Sequence, residues 1–81
     1  MYLPPEMARK KAQIESFQRK IEQVQRSNNR QVAQMLVQQM TSAGLIPRQF
    51  SRVVNTMAYF SPGMAMSMLQ RALRRMLYSI R

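Results

Sequence analysis

Apolar residues recur at helical spacing along almost the whole chain, and only two places interrupt the pattern. After an extended entry at Pro4 and Pro5, nothing breaks a helix until Gly44. Residues 6–43 are rich in Gln, Arg, Lys, Met and Ala, which favour or tolerate helix. "TSAGLIP" then reads as a stop, with Gly44 as the left-handed residue past the helix end and Pro47 opening the next helix. "SPG" is the second boundary, Ser61 serving as N-cap and Pro62 as the first helical residue. The pattern predicts an all-α fold: a long, coiled-coil-like N-terminal helix near 6–42, then a two-helix unit near 47–60 and 62–80. The corresponding division is 1–44 for oligomerisation or partner binding and 45–81 for a basic amphipathic pair.

The long helix raises a problem of cover. Met7, Ile14, Phe17, Ile21 and Val24 make one stripe at heptad spacing, with Asn28 at the next a-type position, where a buried Asn can select register and oligomer state. Farther on, the stripe shifts to Val32, Met35, Leu36, Gln39 and Met40. A helix over 6–42 would be about 55 Å long, and the two shorter helices, about 21 and 28 Å, cannot sheath it. The expectation is that Met7, Ile14, Phe17, Ile21, Val24 and Asn28 meet a partner protein or a second copy through residues 7–28. The alternative is a break at Ser27–Asn29, with Asn28 and Gln31 capping a new helix and the chain closing into a four-helix bundle.

The later helices are two-faced. Ala65, Met66, Leu69, Ala72, Leu73, Met76, Leu77 and Ile80 gather on one side of the last helix, opposite Arg71, Arg74, Arg75, Tyr78 and Arg81. In the helix before it, Ile46, Phe50, Val53, Val54, Met57 and Phe60 form the apolar side, opposite Arg48, Arg52, Asn55 and Tyr59. Set over each other, "FSRVVNTMAYF" and "LQRALRRMLYS" align Arg52 with Arg71, Met57 with Met76 and Tyr59 with Tyr78. Each helix therefore aims an Arg and a Tyr outward, seven residues apart.

Charge sharpens this. The formal net charge is +10, from 13 bases against three acids, and the acids, Glu6, Glu15 and Glu22, all lie early. From residue 23 onward the chain has eight arginines, no lysine and no acid. Such an excess repels itself in a lone chain and favours a polyanion. Arg48, Arg52, Tyr59, Arg71, Arg74, Arg75, Tyr78 and Arg81 are the candidate contacts, to nucleic acid without sequence specificity. The last two helices have helix–turn–helix proportions. Met64, Ala65, Met66 and Ser67, however, stand where base-reading amides and hydroxyls usually cluster.

Composition removes whole classes. With no Cys and no His, disulfides, thiolate sites and imidazole chemistry are gone, and three glutamates make neither a metal cage nor a catalytic pair. The expectation is a non-enzymatic protein without metal or cofactor. An adaptor or structural subunit, such as a virion or multi-subunit complex component whose arginines meet acidic protein, is the second reading. A peripheral membrane-binding helix is the third, weakened by the lack of tryptophan. "MYLPPEMARKK" reverses the charge order of a secretory signal, and no apolar run is long enough for a bilayer. An intracellular or virion-internal location follows as expectation.

Overall fold

Two asparagines divide the opening helix. The computed structural model describes residues 3–80; in it α1 runs Pro5–Ser27 and α2 Arg30–Ser42. Asn28 adopts the left-handed conformation at φ 51°, ψ 39°, and its N–H donates to the Val24 carbonyl at 2.8 Å. Asn tolerates this region better than most residues, because its short polar side chain bonds locally. Asn29 is extended, and its Oδ1 accepts from the Val32 N–H at 3.2 Å, capping α2. The all-α class holds, while the opening helix ends at Ser27 instead of continuing to 42. The cap is Asn29 acting on Val32, not Asn28 with Gln31.

α3 (Arg48–Phe60) and α4 (Pro62–Ile80) complete the described elements. The α2–α3 turn is built as the sequence reads. Gly44 sits at φ 76°, its N–H donating to the Thr41 carbonyl while the Leu45 N–H reaches back to Met40, each at 3.0 Å. Those two crossed bonds are a Schellman motif, and Leu45 and Met40 are both buried, supplying its usual apolar contact. Pro47 stands just outside α3 as its N-cap residue. At the start of α4, Ser61 Oγ accepts from the Met64 N–H at 3.3 Å, the cap its position implied.

Short turns make successive helices antiparallel. Each packs against the two beside it, and α2 also touches α4 across the middle. Two bonds fix the α1–α4 pairing: Gln25 Nε2 donates to Ser67 Oγ, and Gln70 Nε2 to the Gln18 carbonyl, both at 3.4 Å. The result is an up-and-down four-helix bundle with a radius of gyration of 12.7 Å, close to the ~12 Å expected for a globule of this length. Its longest extent, 42 Å, is shorter than a continuous 6–42 helix would be.

One core joins residues from all four helices: Ile14, Ile21, Val37, Met40, Val54, Met66, Leu69 and Leu73 are fully buried together. The division at residue 44 is therefore a turn within a single hydrophobic unit. It also removes the premise of the partner-seeking rod. Ile14, Phe17, Ile21 and Val24 are buried by this chain's own helices, so they are core residues and not an interface. The break is the physical reason, because folding α2 back on α1 supplies the cover that a straight helix lacks. Of the expected interface, Met7 is 43% exposed, and Asn28 lies at the surface as a helix terminator.

Two stripes are rotated from their expected positions. α2 buries Ala33, Leu36, Val37 and Met40, leaving Val32 and Met35 exposed beside α1. α3 buries Ser51, Val54 and Ala58, with Phe50 and Met57 only half-buried and Val53 and Phe60 outside. Ser51 and Ala58 are small, so α3 turns a narrow flank inward and its bulky one out.

Candidate nucleic-acid interface

The arginines of α3 and α4 are all exposed, but they do not form one sheet of charge. Arg71 and Arg75, one turn apart, line the α3–α4 groove with Phe50, Met68 and Ala72. Tyr59 instead leans toward α2, where the Arg30 guanidinium lies 4.6 Å from its ring centroid, within cation–π range. Arg52 and Arg48 stand seven and eleven residues before Tyr59. At 100° per residue they share its meridian, so they belong to the α2–α3 side. Arg74 is one residue from Arg75 and about 100° around α4 from it, toward α1. Tyr78 is exposed on the same outer flank of α4. Arg81 lies outside the described residues.

The sequence reading missed Arg30 as a contact. It belongs to no arginine-rich helix and becomes a neighbour of Tyr59 only because the chain turns at Asn28–Asn29 and brings the start of α2 beside the end of α3. A stacked pair across two helices leaves no signature in linear spacing.

The α2–α3 side is also rich in amides. Gln31, Gln34, Gln38 and Asn55 line its groove together with Met35. The Asn55 Oδ1 atom is buried there without a hydrogen-bond partner among the described residues. The α1–α2 side differs again, with Lys20, Gln23, Val32, Met35 and Gln39 lining a shallow trough, and Lys20 Nζ 5.0 Å from the Phe17 ring centroid.

Electrostatically the α3–α4 half is uncompensated, since neither helix contains a carboxylate. All three glutamates lie on α1 and are exposed. Hydroxyls offer little chemistry: Thr41, Thr56, Ser67 and Ser79 each donate to the carbonyl four residues back, at 2.8–3.2 Å. These are helix-internal bonds, made where a nucleophile would need a base. Among the described residues no group of acidic side chains is placed to hold a metal ion, and no helix is long and apolar enough to cross a membrane.

The methionines divide between core and surface. Met40 and Met66 are fully buried, Met57, Met68 and Met76 pack partly against the core, and Met64 is exposed at the start of α4. No protein family matches the chain, and neither characterised proteins nor solved structures provide a counterpart.

Proposed function

We propose that this chain is a non-enzymatic helical protein that binds nucleic acid through its phosphate backbone, without reading sequence. One observation carries the reading: five exposed arginines, Arg48, Arg52, Arg71, Arg74 and Arg75, stand on two adjacent helices that contain no acid. Backbone phosphates supply charge at regular intervals and require no particular side-chain pattern, which suits arginines spread over several faces. Arg30 adds a further positive group at the open side of α3. The lack of a cluster of amides and hydroxyls at the start of α4, where Met64, Ala65 and Met66 precede Ser67, argues against base-specific recognition. A place inside a cell or a virion goes with this reading.

Titration of a labelled oligonucleotide over a range of salt concentrations tests it. Affinity should fall linearly on a log–log plot, by about 0.7 per neutralised phosphate for single strands and about 0.9 for duplex. A flat response contradicts the proposal.

A second reading has an observation of its own. Val53, Phe60 and Met64 are exposed apolar side chains in the arginine-bearing half of the molecule, and a partner protein offering acids around an apolar centre would suit such a mixed surface. It predicts a protein complex that survives nuclease treatment.

A further inference from the structure

The end of α3 carries a graded stack of groups. Arg30 lies over Tyr59, and Tyr59 meets Phe60 edge to face, with centroids 5.3 Å apart and planes at 78°. The Phe60 ring ends the series: it is 77% exposed, the most exposed of the large apolar side chains described. Its position explains why the described residues leave it so open. Phe60 is the last residue of α3, Ser61 turns away in an extended conformation at φ −153°, ψ 96°, and α4 begins at once. One residue is a 100° step, so Phe60 points away from the α2 side that holds Tyr59.

From this arrangement we infer that Phe60 is a stacking platform for an unpaired nucleobase, so that the preferred ligand is single-stranded nucleic acid. The inference rests on the nucleic-acid reading above and adds the strand state. An aromatic face presented to solvent from a helix end can take a base only where that base is not already stacked and paired, which a duplex interior forbids. Tyr59 touches the ring edge to face and restricts it on that side, which lowers the side-chain freedom lost on stacking. Charge complementarity points the same way. Arg30 lies one ring farther on, over Tyr59, Arg71 is seven residues beyond Met64 on the same side of α4, about 10 Å along its axis, and the chain has no acid after Glu22. Bases on the aromatic tip and phosphates on the flanking arginines is the division of labour used by single-strand binders generally.

The test compares an unstructured oligothymidine with a hairpin duplex of equal phosphate count, for the wild-type chain and for Phe60→Ala and Phe60→Trp. Wild-type protein is expected to prefer the single strand. Phe60→Ala should weaken single-strand binding roughly 5- to 100-fold while duplex affinity and the salt slope stay unchanged, and Phe60→Trp should restore binding. An exposed helix-end side chain can be changed without unfolding, and circular dichroism of each variant checks that. Unchanged single-strand affinity in Phe60→Ala, with salt-dependent binding intact, overturns the stacking inference and leaves the phosphate reading standing. If Phe60→Ala instead abolishes binding to phosphatidylserine vesicles and leaves the oligonucleotide untouched, the tip is a membrane contact and the inference fails. If neither oligonucleotide binds in a salt-dependent way, the underlying nucleic-acid reading fails and takes this one with it.

Discussion

Asn28 and Asn29 stand side by side in opposite backbone regions, the first left-handed at φ 51° and the second extended at φ −98°, ψ 116°. That reversal turns one potential rod into two packed helices, and it decides whether the opening stripe faces this chain or another. Alanine at either position favours continued helix. Asn28→Ala should cost about 1 kcal/mol, for placing a Cβ-bearing residue without local hydrogen bonding in the left-handed region, and Asn29→Ala about 1 kcal/mol, for the missing cap. Asn28→Gly should be neutral or slightly stabilising. Urea denaturation midpoints at constant m-value check all three.

The double variant Asn28→Ala/Asn29→Ala carries a sharper expectation. With both breakers gone, α1 and α2 can run on as one helix, exposing Ile14, Phe17, Ile21 and Val24 to exchange between chains. Hinge changes of this kind promote swapped dimers. Sedimentation should show a dimer fraction growing with concentration, where wild-type protein stays monomeric.

Core and surface positions on α1 should respond in opposite ways. Ile21 is fully buried, so Ile21→Ala should cost about 2–5 kcal/mol. Ile21→Asp should leave the chain unfolded, because it buries an unpaired charge. Met7→Asp, at a half-open position, should change stability by less than about 1 kcal/mol. Thermal unfolding by circular dichroism separates them. Equal sensitivity at Met7 and Ile21 would point back to an intermolecular seam.

The two glycines provide an internal control. A Cβ at either meets nothing within 4 Å, but Gly44 has φ 76° and Gly63 lies in the first turn of α4. Gly44→Ala should therefore destabilise by about 1–2 kcal/mol through backbone strain alone. Gly63→Ala should stabilise by up to about 1 kcal/mol through helix propensity. Differential scanning calorimetry reads both signs.

Arg71 and Arg75 share a groove, and Arg48 and Arg52 share the other flank of α3. Replacing either pair with glutamine should reduce the magnitude of the log–log salt slope by about 2, since each arginine removed leaves one phosphate with its counterions. An unchanged slope for one pair would assign the bound strand to the opposite flank. Fluorescence anisotropy across a salt series is sufficient.

Much of this fold is legible in the sequence because its boundaries are made by residues with narrow backbone preferences. Gly44 and "SPG" announce two of the three turns through a positive φ, a proline at the first helical position and a serine cap. The third turn is written in asparagine, which also fits a buried a-type position, so local chemistry alone leaves rod and bundle both open. Which flank turns inward is less legible still. On α2, residues 33, 36, 37 and 40 are as helically periodic as 32, 35, 36 and 39, and on α3 the choice falls to Ser51 and Ala58 over Val53 and Phe60. Hydrophobicity ranks the larger residues higher, whereas close packing of three helices selects the smaller ones. The arginines could be found as candidates because charge does not depend on packing. Their separation onto different sides, and the pairing of Arg30 with Tyr59, depend on tertiary neighbours.

Everything proposed for the surface presupposes that this chain supplies its own cover. Sedimentation equilibrium in about 1 M salt, where long-range charge effects are screened, tests that claim on nuclease-treated protein followed in parallel by circular dichroism. The prediction is a single 9.5 kDa species that stays fully helical on dilution. A stable dimer whose helicity disappears as it dissociates would contradict it.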